Sequence, residues 1–279
     1  MRTFIRQGIL FLLSAASFLA GKAQEATRIV SLAPSVTATL QQLGADRIIV
    51  GRTTYCPAAL DGKPYVTIGN VLETNIEKII ALKPDLVFGM AFTKDETLEK
   101  LKALGIKVRN FPTPADFEEI CSQTLEIGSL AGYGRQAKAL VESEKAKVES
   151  LRADFRQSHP LKSAPRVFFQ IGDRPVFPVI EGTFMNQYLT FLGLENIVKE
   201  YKGGGISREY VVAADPDLML ISKMSGTGQE AADYWKKFKD IRAVQNGHVV
   251  LVDDTMACCP TPVFFRKTLQ FIAGYLRKM

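Results

Sequence analysis

The feature that most constrains this chain is an internal repeat. Residues 75–86 read Asn75-Ile-Glu77-Lys-Ile79-Ile80-Ala81-Leu-Lys-Pro84-Asp85-Leu86. Residues 207–218 read Ser207-Arg-Glu209-Tyr-Val211-Val212-Ala213-Ala-Asp-Pro216-Asp217-Leu218. The offset is constant (77 to 209, 85 to 217), with Glu, Ala, Pro, Asp and Leu identical and the Ile/Val positions matched. Each copy has a cap-type residue, a first-turn acid, an apolar pair, a proline stop and a strand start, which predicts a short helix running into a strand. Two copies in 279 residues predict two similar α/β lobes.

The rest of the chain fits that division. Strands are expected at Arg28–Leu32, Arg47–Gly51, Asp85–Phe88 and Ile106–Val108, alternating with helices at Ser35–Leu43, Asn75–Leu82 and Leu98–Leu104. Such alternation indicates mostly parallel sheet. Residues 135–157 hold neither Gly nor Pro. Ala137, Val141, Val148, Leu151 and Phe155 form a thin apolar stripe there among many Lys and Glu. That predicts one long, largely solvated linker helix, ended at Ser158-His159-Pro160. A second α/β series follows: strands at Arg166–Ile171, Asp217–Ser222 and His248–Val252, helices at Thr183–Leu192, Ser207–Ala213 and Ala231–Lys239, and a terminal helix from Pro262. The expected division is 1–23 leader, 24–133 first lobe, 134–159 linker helix and 160–279 second lobe.

The leader is read from Arg2 and Arg6, the 13-residue apolar run Gly8–Ala20, and small residues at Gly21 and Ala23. The run is too short for a membrane span of about 20 residues, so it predicts a secretory signal peptide cleaved after Ala23. Cleavage lowers the net charge from +6 to +3 by removing Arg2, Arg6 and Lys22. No basic block occurs, so no nucleic-acid partner is expected.

Enzyme chemistry finds little support. The two histidines, His159 and His248, lie far apart, and neither a Gly-x-Ser-x-Gly elbow nor His-Glu-x-x-His nor Cys-x-x-Cys occurs. Gly226-Thr-Gly228-Gln-Glu-Ala231 fits a loose dinucleotide pattern, but a lone late match reads as a loop at a strand end. No catalytic residue and no resident metal are assigned.

The loops after strands are where an open α/β sheet binds ligands. Tyr55, Phe92, Phe177 and Phe184 fall near those ends and would suit a flat or apolar-faced ligand. Cys56 and the pair Cys258-Cys259 sit on candidate cleft-edge loops; a bridge from Cys56 to either would tie the lobes, or the thiols stay free and touch ligand. Cys121 reads as a buried thiol. Arg52, Arg174 and Arg208 are the cations near strand or helix ends. Glu77 and Glu209 serve helix N-termini in the plain reading. As a matched pair, one per lobe, they also fit two cationic sites on a symmetric partner.

These residues resemble a known family. Arg28-Ile-Val-Ser-Leu-Ala-Pro34, Asn75-Ile-Glu77 with Ala81-Leu-Lys-Pro-Asp-Leu-Val87, Arg166-Val-Phe-Phe-Gln170 and Ile206-Ser-Arg-Glu209 resemble the periplasmic substrate-binding proteins of ABC importers for cobalamin, haem and ferric siderophores. That is the class with a single linker helix, and the cobalamin-binding members are the most similar. The resemblance implies a monomeric periplasmic protein without a prosthetic group. It implies a corrinoid, otherwise haem or a ferric siderophore, clamped between the lobes, and docking of Glu77 and Glu209 on the two subunits of a permease dimer. It retains Tyr55 and Phe177 as aromatic contacts. It puts Met90, and Ile68 or Gly69, where stacking tryptophans are expected, and leaves Trp235 in a helix. Asp253-Asp-Thr-Met-Ala-Cys-Cys-Pro-Thr-Pro262 replaces the family's ligand loop, which makes Asp254 and Met256 candidate contacts alongside Cys56, Met90 and Phe92. The alternatives are an exported enzyme on the same scaffold, or a redox-sensing interaction module built on Cys258-Cys259.

Overall fold

The computed structural model describes residues 26–70, 73–159, 163–199, 201, 203–222 and 228–279. The leader and most of the Gly226-Thr-Gly228 loop lie outside the described residues. In the first lobe β1 (Ile29–Ser31), β2 (Ile49–Arg52), β3 (Val66–Thr67), β4 (Leu86–Met90) and β5 (Lys107–Phe111) form one sheet in the order β3-β2-β1-β4-β5. Every pairing in it is parallel. The interleaved helices are α1 (Pro34–Gln42), α2 (Ile76–Ala81) and α3 (Asp95–Ala103).

Because side chains alternate along a strand, the sheet feeds two cores. Val30 and Val87 pack with Leu32, Ile68, Ile79 and Leu101 on one face. Ile29, Ile49 and Phe88 pack on the other with Val36 and Leu40. The second lobe holds β6 (Arg166–Gly172), β7 (Phe177–Pro178), β8 (Glu195–Asn196), β9 (Leu218–Ser222) and β10 (Val249–Val252). Its order is β10-β9-β6-β7, with β8 also paired to β6. Only β6–β7 is antiparallel. Its helices are α6 (Asn186–Phe191), α7 (Arg208–Ala214), α8 (Gly228–Trp235), α9 (Arg242–Gln245), α10 (Asp254–Ala257) and α11 (Pro262–Leu276).

Between the lobes run α4 (Phe117–Leu130) and the predicted long helix α5 (Gly134–Ser158). The stripe buries Ala137, Val141, Val148 and Phe155 as expected, but also Glu144. The carboxylate of Glu144 meets Lys147 at 2.8 Å and Arg266 of α11 at 2.5 Å. A Cβ at Gly128 of α4 would stand 2.4 Å from the Ala137 side chain, so a glycine lets the two helices close on each other. The junction is broader than a lone linker. Phe117, Ile120 and Cys121 of α4 lie in the second lobe's core, while Ile127 lies in the first lobe's. Phe117 stacks on Phe265 at 4.5 Å between ring centres.

The repeat has a backbone explanation. Arg28 N–H and Arg166 N–H donate to Asp85 Oδ2 (2.9 Å) and Asp217 Oδ2 (2.8 Å). The same two aspartates return their own N–H to the carbonyls of Arg28 and Arg166, at 2.8 Å each. The arginine side chains then cap the preceding helix ends, Arg28 on Leu82 O and Arg166 on Ala214 O. Lys83 and Asp215, each just before the proline, are the two non-glycine residues of positive φ among the described residues, at 47° and 45°. Each identical Asp thus locks the start of one strand to its neighbour.

Candidate functional site

The candidate residues lie at the carboxyl ends of the parallel strands in both sheets. Tyr55 and Cys56 follow β2, Met90 ends β4 and Phe92 comes just after it. In the second lobe Phe177 pairs with Gly172 at the end of β6, and Asp254 and Met256 stand on α10 directly after β10. Tyr55 is 73% exposed, Phe92 61% and Phe177 40%, a large apolar area for three residues that join no core. Phe184 differs: it is buried beside Tyr188 in the second lobe's core and presents nothing to a ligand. Trp235 is also buried, and its Nε1–H donates to Gln170 Oε1 at 2.6 Å.

The first-lobe loop is held by polar groups that the sequence does not announce. Arg52 donates to the carbonyls of Thr53 (3.0 Å) and Cys56, tying down the turn that carries Tyr55. Farther along, buried Asp46 accepts from the Tyr65 hydroxyl, from Gln41 Nε2 at 3.1 Å and from Leu60 N–H at 3.2 Å. Burial first, and the Asp46 hydrogen bond second, push the Tyr65 phenol well above its ordinary pKa. It therefore stays a donor. The Met90–Phe92 turn is closed by Thr93, whose Oγ1 accepts from Met90 N–H at 3.1 Å. The Arg52 and Thr93 contacts are local turn bonds, whereas Asp46 joins residues 14 and 19 positions away, Leu60 and Tyr65.

On the second lobe Asp253 caps α10, accepting from Met256 N–H at 3.1 Å, and so fixes Asp254 and Met256. Arg208 reaches Asp173 Oδ1 at 3.0 Å and lies 4.4 Å from the Tyr234 ring centre. Arg52 and Arg208 therefore serve loop structure, while Arg174 is exposed beside Asp173 and Glu230. All four cysteines are free thiols, so the expected bridge from Cys56 to Cys258 or Cys259 is not formed here. Cys56 is only 4% exposed, with Sγ 3.1 Å from Thr53 Oγ1. Cys258 Sγ lies 3.6 Å from Ser222 Oγ at the end of β9, and burial pushes its pKa up to about 11. Among the described residues no group of three or more His, Cys, Asp or Glu could hold a metal ion.

Glu77 and Glu209 stand in the first turns of α2 and α7, both exposed. The caps themselves are Asn75, accepting from Lys78 N–H at 2.8 Å, and Ser207, accepting from Tyr210 N–H at 3.2 Å. Capping therefore does not require either glutamate. The Glu209 carboxyl is held below its usual range by its own N–H and the Ser207 hydroxyl. Beside Glu209 a groove of about 690 Å³ runs between α7 and α8, lined by Val176, Ile206, Val212, Tyr234 and Phe238.

The profile of the periplasmic binding protein family matches residues 29–256. A vitamin B12-binding protein of Yersinia pestis (strain Pestoides F) is 27% identical over 222 residues, 78% of this chain and 78% of the relative. A solved structure from Staphylococcus epidermidis, described as a possible iron-binding periplasmic solute-binding protein, is 26% identical. It superposes with a TM-score of 0.77 over 91% of this chain and 99% of its own. A periplasmic heme-binding protein from Roseiflexus sp. RS-1 superposes with a TM-score of 0.76 at 22% identity, over 90% and 99% of the two chains.

Proposed function

The chain belongs to the periplasmic binding protein family, and on that premise we propose that it captures a corrinoid between its lobes and delivers it to an ABC importer. The observation that carries the reading is the exposure of Tyr55, Phe92 and Phe177 at the carboxyl ends of strands in two separate sheets. A solvated aromatic face costs free energy that a flat, apolar-faced ligand recovers, about 25 cal/mol per Å² covered. Cys56, Met90, Asp254 and Met256 complete the set, with Cys56 acting beneath the loop rather than on its surface. The relatives are binding proteins rather than enzymes, which supports a chain that makes and breaks no bonds.

In this reading the mature protein is an exported monomer, divided at 24–133, 134–159 and 160–279. Glu77 and Glu209, exposed and not needed as caps, meet cationic groups on the two permease subunits. Among the described residues no helix is long and apolar enough to cross a membrane. One observation favours haem as the second reading: the Tyr55 phenol stands in solvent at a strand end, where it could ligate iron. Calorimetry with cyanocobalamin and with haemin in parallel tests the assignment. One-to-one submicromolar binding of cyanocobalamin supports the corrinoid. Binding of haemin alone, lost in Tyr55→Phe, moves the substrate to haem.

A further inference from the structure

We propose that Cys56 and Cys259 form a reversible disulfide across the two lobes. Both thiols are buried, at 4% and 9% exposure, and they belong to loops of different lobes. Two adjacent residues at the end of α1 hold those loops together. Gln41 Nε2 donates to Ala58 O at 2.6 Å, two positions beyond Cys56. Gln42 Nε2 donates to Thr261 Oγ1 at 3.1 Å, two positions beyond Cys259. Of the other two thiols, Cys121 is enclosed by the second lobe's core and Cys258 faces Ser222 of β9 in its own lobe; Cys56 itself lies 3.1 Å from Thr53 Oγ1, a contact that the bridge would replace. The ionisation of Cys259 is disfavoured first by burial and next by the charge of Cys56.

The bond forms by exchange with a small-molecule disulfide such as oxidised glutathione. Each thiol loses its proton, one S–S bond forms, and the oxidant's S–S bond is reduced to two thiols. The cross-link closes a loop through most of both lobes and limits their separation. An exported protein meets the oxidising conditions that the bridge requires. The inference does not depend on which ligand occupies the cleft.

The test is peptide mapping of the full mature chain, alkylated under denaturing conditions after equilibration with oxidised glutathione. A second sample is refolded from urea in a glutathione redox buffer, where burial no longer limits access. The expected map shows one linked pair, Cys56 with Cys259, and alkylated Cys121 and Cys258. Oxidation should raise the urea midpoint of the wild type and of Cys258→Ser, and leave that of Cys259→Ser unchanged. Four alkylated thiols in both samples, or a linked pair containing Cys258, would overturn the proposal.

Discussion

At the scale of single residues, the two copies of the repeat show what identity between lobes is for. Asp85 and Asp217 carry the same strand clamp, and Lys83 and Asp215 carry the same left-handed turn. A lysine at φ 47° pays a steric cost that glycine avoids. Lys83→Gly should therefore raise stability by about 0.5–1 kcal/mol after the unfolded-state entropy of glycine is subtracted, as read by urea unfolding. Asp215→Gly should lower it, because Asp215 also binds Arg242 at 2.7 Å. The Thr27 hydroxyl, and then the Thr27 and Arg28 N–H groups, hold the Asp85 carboxyl below the ordinary carboxylate range. Its folded pKa is lower than its unfolded value of about 3.9, so its contribution is complete above that pH and disappears as pH falls through the folded value. Urea midpoints of wild type and Asp85→Asn should differ at pH 7 and converge in acid. A constant difference would mean that the clamp acts through shape and not charge.

At the scale of elements, the sequence pattern located most of the longer helices and strands, with α4 (Phe117–Leu130) the exception. α5 runs from Gly134 to Ser158 against an expectation of 134–159. The shortfalls are the 14-residue α4, which is not among the expected helices, and the two- to four-residue pieces β3, β7, β8, α9 and α10, which carry too few residues to show a period. α3 starts at Asp95, three residues before the expected Leu98, because its first turn is exposed and polar. Glu144 reads as one more solvated acid of α5, but it lies buried against Arg266. Glu144→Ala would leave the largely covered Arg266 guanidinium without its carboxylate and should cost about 2–4 kcal/mol. Thermal unfolding measures this, with Glu142→Ala, an exposed acid of the same helix, expected to change little. The short helices α2 and α7 are capped by Asn75 and Ser207, so Glu77→Ala with Glu209→Ala should keep the fold and ligand affinity while uptake is lost. Weakened ligand binding in that double variant would assign the acids to the cleft.

At the scale of the whole molecule, two lobes share a joint made of α4, α5 and α11 rather than a single helix. A joint that buries Phe117 against Phe265 resists large hinge motion, so ligand entry should involve small changes in lobe separation. Small-angle scattering with and without saturating ligand should show a radius of gyration that changes by less than about 1 Å; domain packing of this extent makes larger motion costly. The exposed aromatics test recognition at the same scale. Phe177→Ala and Tyr55→Ala should each weaken binding of the accepted ligand about 10-fold, near 1.4 kcal/mol, without lowering the unfolding midpoint. A loss of stability instead would place those rings in the fold.

The sequence alone determined the two-lobe α/β plan, the long helix and the matched acids, because repeats, periodicity and caps are local signals written in consecutive residues. Tyr55, Phe92, Phe177 and Phe184 read alike in the sequence, as aromatics next to strand ends, and the first three are exposed. Tertiary structure decided the rest. It sent Phe184 into the core and left Phe92 in solvent, though both are phenylalanines near strand ends. It brought Asp46 to Tyr65, and it tied the loops of Cys56 and Cys259 to neighbouring glutamines of α1. Burial and long-range hydrogen bonds depend on what the fold places nearby. No spacing along the chain encodes that.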